Sequence, residues 1–210
     1  GGGGGGGGRG ANGGDGGRAV GGGLASLYGV LTATDMPVRS NAAVGGDGGR
    51  AGSGRGTIAG VGGQARGGGL SNSDSGQAAL TDVRVTDNEA FGGAGSTGGD
   101  ALGGGIFNGN EYDGGAKLHL TDGVVTSNLA VGGDGATGGT AAGGGIFNGN
   151  TVAGAAPKVK LTDTEVTFNI AWGDDGYGGG VFNAGVFVDP TPDQVRWNFA
   201  TTAGNDIFDL

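Results

Sequence analysis

Cysteine is absent from this chain of 210 residues, and proline, methionine, tryptophan and histidine are scarce at four, one, two and one copies. Without cysteine there is no disulfide, no thiolate metal site and no thiol nucleophile. So few prolines exclude a collagen-like chain, which combines proline with a strict Gly-X-Y period. No run of about 18 consecutive apolar residues occurs, so nothing is long enough to cross a membrane as a helix. Basic residues number 11 against 20 acidic ones, and a net charge of −9 argues against generic nucleic-acid binding. The charge is uneven: six Arg and three Asp in residues 1–70 give +3, whereas five basic and seventeen acidic residues in 71–210 give −12. The sequence opens on eight glycines, without an initiator Met or a signal-peptide pattern, and reads as a processed chain or a piece of a longer one.

What is abundant is glycine, at 60 residues, and repetition. The octapeptide GGGIFNGN stands at Gly103–Asn110 and again at Gly143–Asn150. Gly-Gly-Gly followed by an apolar residue also occurs at Gly21–Leu24, Gly67–Leu70 and Gly178–Val181. Thr-Asp recurs with Asp35, Asp82, Asp122 and Asp163. Val-x-x-Asn-x-Ala occurs five times, with Asn41, Asn88, Asn128, Asn169 and Asn198. These asparagines are 47, 40, 41 and 29 residues apart, so one repeat needs at most 29 residues and the remainder is insertion. The insertions all fall between Asn-x-Ala and the next Gly-Gly-Gly, at about 44–69, 91–105, 131–145 and 172–180.

Each repeat contains short β-type runs. In Lys117–Thr121 the leucines Leu118 and Leu120 alternate with polar residues, the period-2 pattern of a half-buried strand. No segment has a helical period. Short strands, turns and insertions at one fixed place predict an all-β parallel β-helix of about five coils, spaced by about 4.8 Å. Residues 1–20 form a glycine-rich lead, 21–203 the solenoid, and 204–210 a tail. Stacking like on like predicts an aromatic file of Phe107, Phe147 and Phe182. It also predicts an amide ladder of Asn72, Asn108, Asn148 and Asn183, and a second ladder of the Val-x-x-Asn asparagines at a left-handed corner.

The segments GGGIFN and LTDGVVTSNLAVGG resemble the repeats of right-handed parallel β-helix proteins of the bacterial cell surface, including polymorphic outer-membrane and autotransporter-passenger types. The resemblance covers about residues 21–200. It implies a right-handed coil and an extracellular or cell-surface location. That family contains adhesins, surface-layer-like proteins and polysaccharide-active enzymes on one scaffold, so it implies no single activity. The long glycine insertions depart from the common pattern.

Those insertions are either flexible loops or ordered, polyproline-II-type strands packed side by side. The Thr-Asp row has two readings as well. Each carboxylate serves its own turn, or the row of Asp35, Asp82, Asp122 and Asp163 binds Ca²⁺, which would relieve the repulsion between stacked carboxylates. His119 alternates with buried leucines and is expected on the surface. Threonine files at Thr81, Thr121 and Thr162 and at Thr86, Thr126 and Thr167 are good strand formers, and an ice-binding face is the minor alternative. Asp82, Arg84, Asp87 and Glu89 are close in sequence without forming a catalytic constellation. Trp172 and Trp197 are suited either to stacking on sugars or to covering the last coil. No catalytic residue and no required cofactor emerge. The expected role is a structural or adhesive solenoid that self-associates or joins neighbouring repeats of a longer chain. A carbohydrate-binding or polysaccharide-cleaving module, with glycans as partners, is the alternative.

Overall fold

The computed structural model describes residues 2–110, 112, 114–189 and 194–210. Described residues are strand, turn or extended chain, apart from a single 3₁₀ position, and no helix among them is long and apolar enough to cross a membrane. The strands form five parallel sheets, and each coil contributes one strand to each. In the third coil these are Ala101–Leu102, Ile106–Gly109, Lys117–Thr121, Val124–Thr126 and Leu129–Val131, which place it in sheets 1 to 5 in that order. The chain is a parallel β-helix of five coils. Ile207–Asp209, within the 204–210 segment, adds a sixth strand to sheet 2 by pairing with Val181–Asn183.

Register aligns the repeated motifs residue for residue. Ile106 pairs with Ile146 and Leu70, and Thr121 with Thr81 and Thr162. The main core is a column of Leu, Ile and Val from sheets 2, 3 and 4. A second column is built of alanine alone: Ala43, Ala90, Ala130, Ala171 and Ala200 face Ala65, Ala101 and Ala141. This is the role of the alanine in Val-x-x-Asn-x-Ala. Methyl groups let sheets 5 and 1 approach closely where the chain enters and leaves the insertions.

The Gly-Gly-Gly signature has three separate causes. Gly103 adopts φ +71°, a left-handed corner between sheets 1 and 2. A Cβ on Gly104 would lie 2.4 Å from the Gly144 carbonyl oxygen, and one on Gly105 would lie 2.9 Å from the Asn128 side-chain carbon. Among the described residues two further left-handed corners recur, one in four coils and the other in all five. One holds Asp35, Asp82, Asp122 and Asp163, with φ between 47° and 52°. The other holds Ser40, Asp87, Ser127, Phe168 and Trp197.

The second corner departs from expectation. The residue before each Val-x-x-Asn asparagine takes the left-handed conformation, and the asparagine itself turns inward. Asn88 and Asn128 are buried, and the Asn88 side-chain N–H donates to the Asn128 amide oxygen at 2.9 Å and to the Val38 carbonyl at 2.8 Å. The same bonds recur down the column through Asn169 to Asn198. The side chain is spent on linking coils, so a neighbour makes the turn.

The glycine insertions are ordered. Outgoing strands (2–10, 45–53, 92–95, 132–135) lie parallel in one layer, and returning strands (13–18, 58–64, 97–100, 137–139) lie in another. Within the outgoing layer, the amides of Gly4, Gly7 and Gly10 donate to the carbonyls of Asp47, Arg50 and Ser53 at 2.6, 2.8 and 3.1 Å. Between the layers the bonds run antiparallel: Gly46, Gly49 and Gly52 donate to Gly17, Gly14 and Ala11 at 2.8, 2.7 and 3.1 Å. One bond every third residue is the period of a polyproline II chain. In Gly45–Arg50 two residues of each triplet face neighbouring strands and the third, Asp47 or Arg50, faces water; in the last triplet Gly52 alone donates to a neighbouring strand, and Ala51 and Ser53 are exposed.

Candidate functional site

The outward face of sheet 3 gathers most of the chemically distinctive residues. Lys117 pairs in register with Lys158, and His119 with Lys160, so all three lysines and the only histidine share one face. They border a shallow hollow floored by Ala78, Ala79 and Leu118. Further along the same strands lies the file Thr34, Thr81, Thr121 and Thr162, and at the corner beyond it the aspartate row. The face therefore passes from cationic to hydroxyl to anionic across one strand length.

His119 Nε2 lies 3.4 Å from the hydroxyls of Thr121 and Thr162. Burial, and secondarily the charge of Lys160, lower its pKa below the ordinary histidine value of 6.5. A depressed pKa means that the folded chain favours neutral imidazole. The associated stability is fully present above pH 6.5 and is lost as pH falls through the folded-state value. Titration of the His119 ring proton resonance is expected to give a midpoint below that of the unfolded chain. An equal or higher midpoint would contradict this environment.

Asp35, Asp82, Asp122 and Asp163 are exposed, one in each of the first four coils. Asp35, Asp82 and Asp122 border a hollow that also contains Arg84. Their backbone amides close the corner by donating to the next coil's threonine carbonyls, as Asp82 does to Thr121 at 3.0 Å. Among the described residues no three His, Asp or Glu side chains converge to hold a metal ion. Asp47, in the segment GGDGG at Gly45–Gly49, holds two strands of the glycine layer together. Asp47 Oδ1 accepts the Ala94 amide at 2.9 Å, as Asp15 Oδ1 accepts that of Val61 at 2.9 Å. Asp82 and Asp87 occupy different corners, so proximity in sequence does not make them a carboxylate pair.

The aromatic file is continuous. Phe107, Phe147, Phe182 and Phe208 stack at 5.3, 5.1 and 5.5 Å between ring centroids. Arg66 closes its near end, with the guanidinium 5.3 Å from the Phe107 centroid. It fits because the residue paired with Phe107 in that coil is the small Ser71. Asn72, Asn108, Asn148 and Asn183 link through side-chain amides at 2.8, 2.8 and 2.6 Å. A second aromatic group is exposed near the last coil. Trp197, 60% exposed, stacks on Phe168 at 5.5 Å and carries Arg196 over its face at 4.3 Å, while Trp172 lies against Phe199 at 6.2 Å. Sequence reasoning missed the Arg66 cap and the clustering of the cations. Aligning the coils reveals the latter, since residues 117 and 158 hold equivalent positions.

No family model, curated protein or solved structure matches the chain.

Proposed function

We propose that this chain is an extracellular structural or adhesive β-helix of the right-handed type, a building segment of a surface layer, fibre or adhesin. The observation that carries this reading is the pattern of edges. All five sheets are parallel stacks; Ile207–Asp209 covers the last-coil edge of sheet 2, and among the described residues no further strand covers the other outer edges. Open sheet edges invite pairing with another chain. The first and last parts of the chain carry net charges of +3 and −12, which favours head-to-tail contact. The ladders themselves are monotonous, as suits a building element rather than a catalyst.

Electron microscopy of the purified protein with Ca²⁺, and again with a chelator, tests the proposal. Filaments of regular diameter are expected. Their loss on chelation would assign the Asp35–Asp163 row to calcium, whereas filaments in both conditions leave it a solvated corner. Dispersed monomers at high protein concentration and physiological salt overturn the structural reading. The exposed Trp172 and Trp197 favour the second reading, a glycan-binding module, and in that outcome glycan binding lost on Trp197→Ala would establish it.

A further inference from the structure

All three lysines stand together on the outward face of sheet 3, in coils 3 and 4, although the chain as a whole carries −9. Register pairs Lys117 with Lys158 and His119 with Lys160, so the four side chains leave two strands about 4.8 Å apart, from positions about 6.6 Å apart along each strand. Like charges placed directly opposite one another repel. Stacking like on like does not demand them: the same two columns carry Gln77 and Ala79 in coil 2, and Val186 and Val188 in coil 5. No acid relieves the repulsion. The five strands of sheet 3 contain no Asp or Glu, and among the described residues no carboxylate comes within ion-pair distance of a lysine. His119 turns Nε2 toward the Thr121 and Thr162 hydroxyls, and its Nδ1 has no hydrogen-bond partner among the described residues. Beside the cations the face sinks. Ala79, the register partner of His119, floors with Ala78 and Leu118 a hollow of about 340 Å³, walled on its far side by Val30, which is 78% exposed. That volume falls within the range of about 300–1,000 Å³ usual for small-ligand sites. Cations gathered beside an apolar step suit a ligand with two unlike parts.

We propose that this hollow binds a tetrahedral oxyanion ester, a phosphate or sulfate monoester of a ring-bearing molecule. Lys117, Lys158 and Lys160 hold the anionic group, and the ring lies over Ala79 against Val30. The choice of anion follows from the donors. A carboxylate offers two oxygens in one plane and suits the planar fork of arginine. An ester phosphate or sulfate offers three oxygens at the corners of a pyramid, which three flexible ammonium groups approach from separate sides. Arginine is the cation used everywhere else in the chain, and lysine only here. The hollow lies on the face of sheet 3 and not at an outer edge, so binding there is independent of assembly through the sheet edges.

The test titrates the full chain with phenyl phosphate and, separately, with phenyl sulfate at low salt, followed by calorimetry and by the ring proton resonances of His119. One or both esters should bind and shift those resonances, and the one that binds more tightly identifies the natural anion. Inorganic phosphate and sulfate, which lack the ring, should bind at least about fivefold more weakly than their esters. Benzoate, with the same ring and a planar anion, should be weaker as well. Lys160 is exposed, so Lys160→Gln leaves the fold intact, and it should lower the ester affinity about tenfold. Arg84→Gln removes the same charge from the neighbouring sheet and should change the affinity less than about twofold. Ala79→Leu fills the hollow and should bring the ester down to the affinity of its inorganic anion. No binding of either ester, an ester bound no better than its inorganic anion or benzoate, or equal losses in Lys160→Gln and Arg84→Gln overturn the proposal.

Discussion

Gly16→Ala is expected to destabilise the protein by about 3 kcal/mol, and Gly6→Ala by less than about 0.5. Both replace glycine by the smallest chiral residue at a position without positive φ. The difference is steric. At Gly16 the new Cβ would stand 1.8 Å from the Gly46 carbonyl oxygen, an atom of another backbone that is itself held in the layer. At Gly6 there is nothing within 4 Å. Something must move in the first case, and the neighbouring bond from Gly16 to Val61 at 2.8 Å moves with it. For a chain of this size the midpoint of thermal unfolding should fall by about 10 °C in Gly16→Ala. Equal midpoints for the two variants would mean that the glycine layer does not contribute to the cooperative unit.

Asn128→Ala should cost about as much, roughly 3–4 kcal/mol, by a different route. The Asn128 side chain donates to the Val85 carbonyl and the Asn169 amide oxygen, both at 2.9 Å. Its oxygen accepts the Asn88 backbone and side-chain N–H at 3.0 and 2.9 Å. Truncation leaves those partners buried with no water at hand, and an unmet buried donor costs about 1–3 kcal/mol. Denaturant unfolding measures the loss. Because Asn88, Asn128 and Asn169 form one chain of bonds, the Asn88→Ala, Asn128→Ala double variant should lose less than the sum of the singles. Strict additivity would show that the ladder acts as separate pairs.

The architecture was legible because stacked coils write their register into the sequence. Ile106 over Ile146 and Phe107 over Phe147 are visible as an octapeptide repeated at 40 residues. The period-2 alternation of Leu118 and Leu120 marked the inward face of sheet 3. The direction of the Val-x-x-Asn side chain was not legible. Asparagine serves both as a left-handed corner residue and as a buried amide, and only the three-dimensional column reveals that Asp87 or Ser127 makes the turn instead. The order of the glycine insertions was ambiguous for a similar reason. Glycine frees an isolated chain, yet it is also the residue that lets two backbones touch. Which property governs depends on whether a second strand lies alongside. The outer face of sheet 3 was not read as a unit because its cations come from different coils, and only the alignment of Lys117 with Lys158 and of His119 with Lys160 brings them together.

The triplet bonding of the glycine layer gives it a reading frame. Inward and outward positions alternate with a period of three, so a strand such as 45–53 has a phase that is set where it leaves Val44 and must be kept to its tip. Inserting three residues within a strand lengthens it and preserves the phase. Inserting one or two carries Asp47 or Arg50 into the place of a glycine whose Cβ has no room. Drift in length is thereby confined to the tips, where outgoing chain becomes return chain, and drift in residue type to every third position. The layer can grow by the triplet or at its turn, and by no other step.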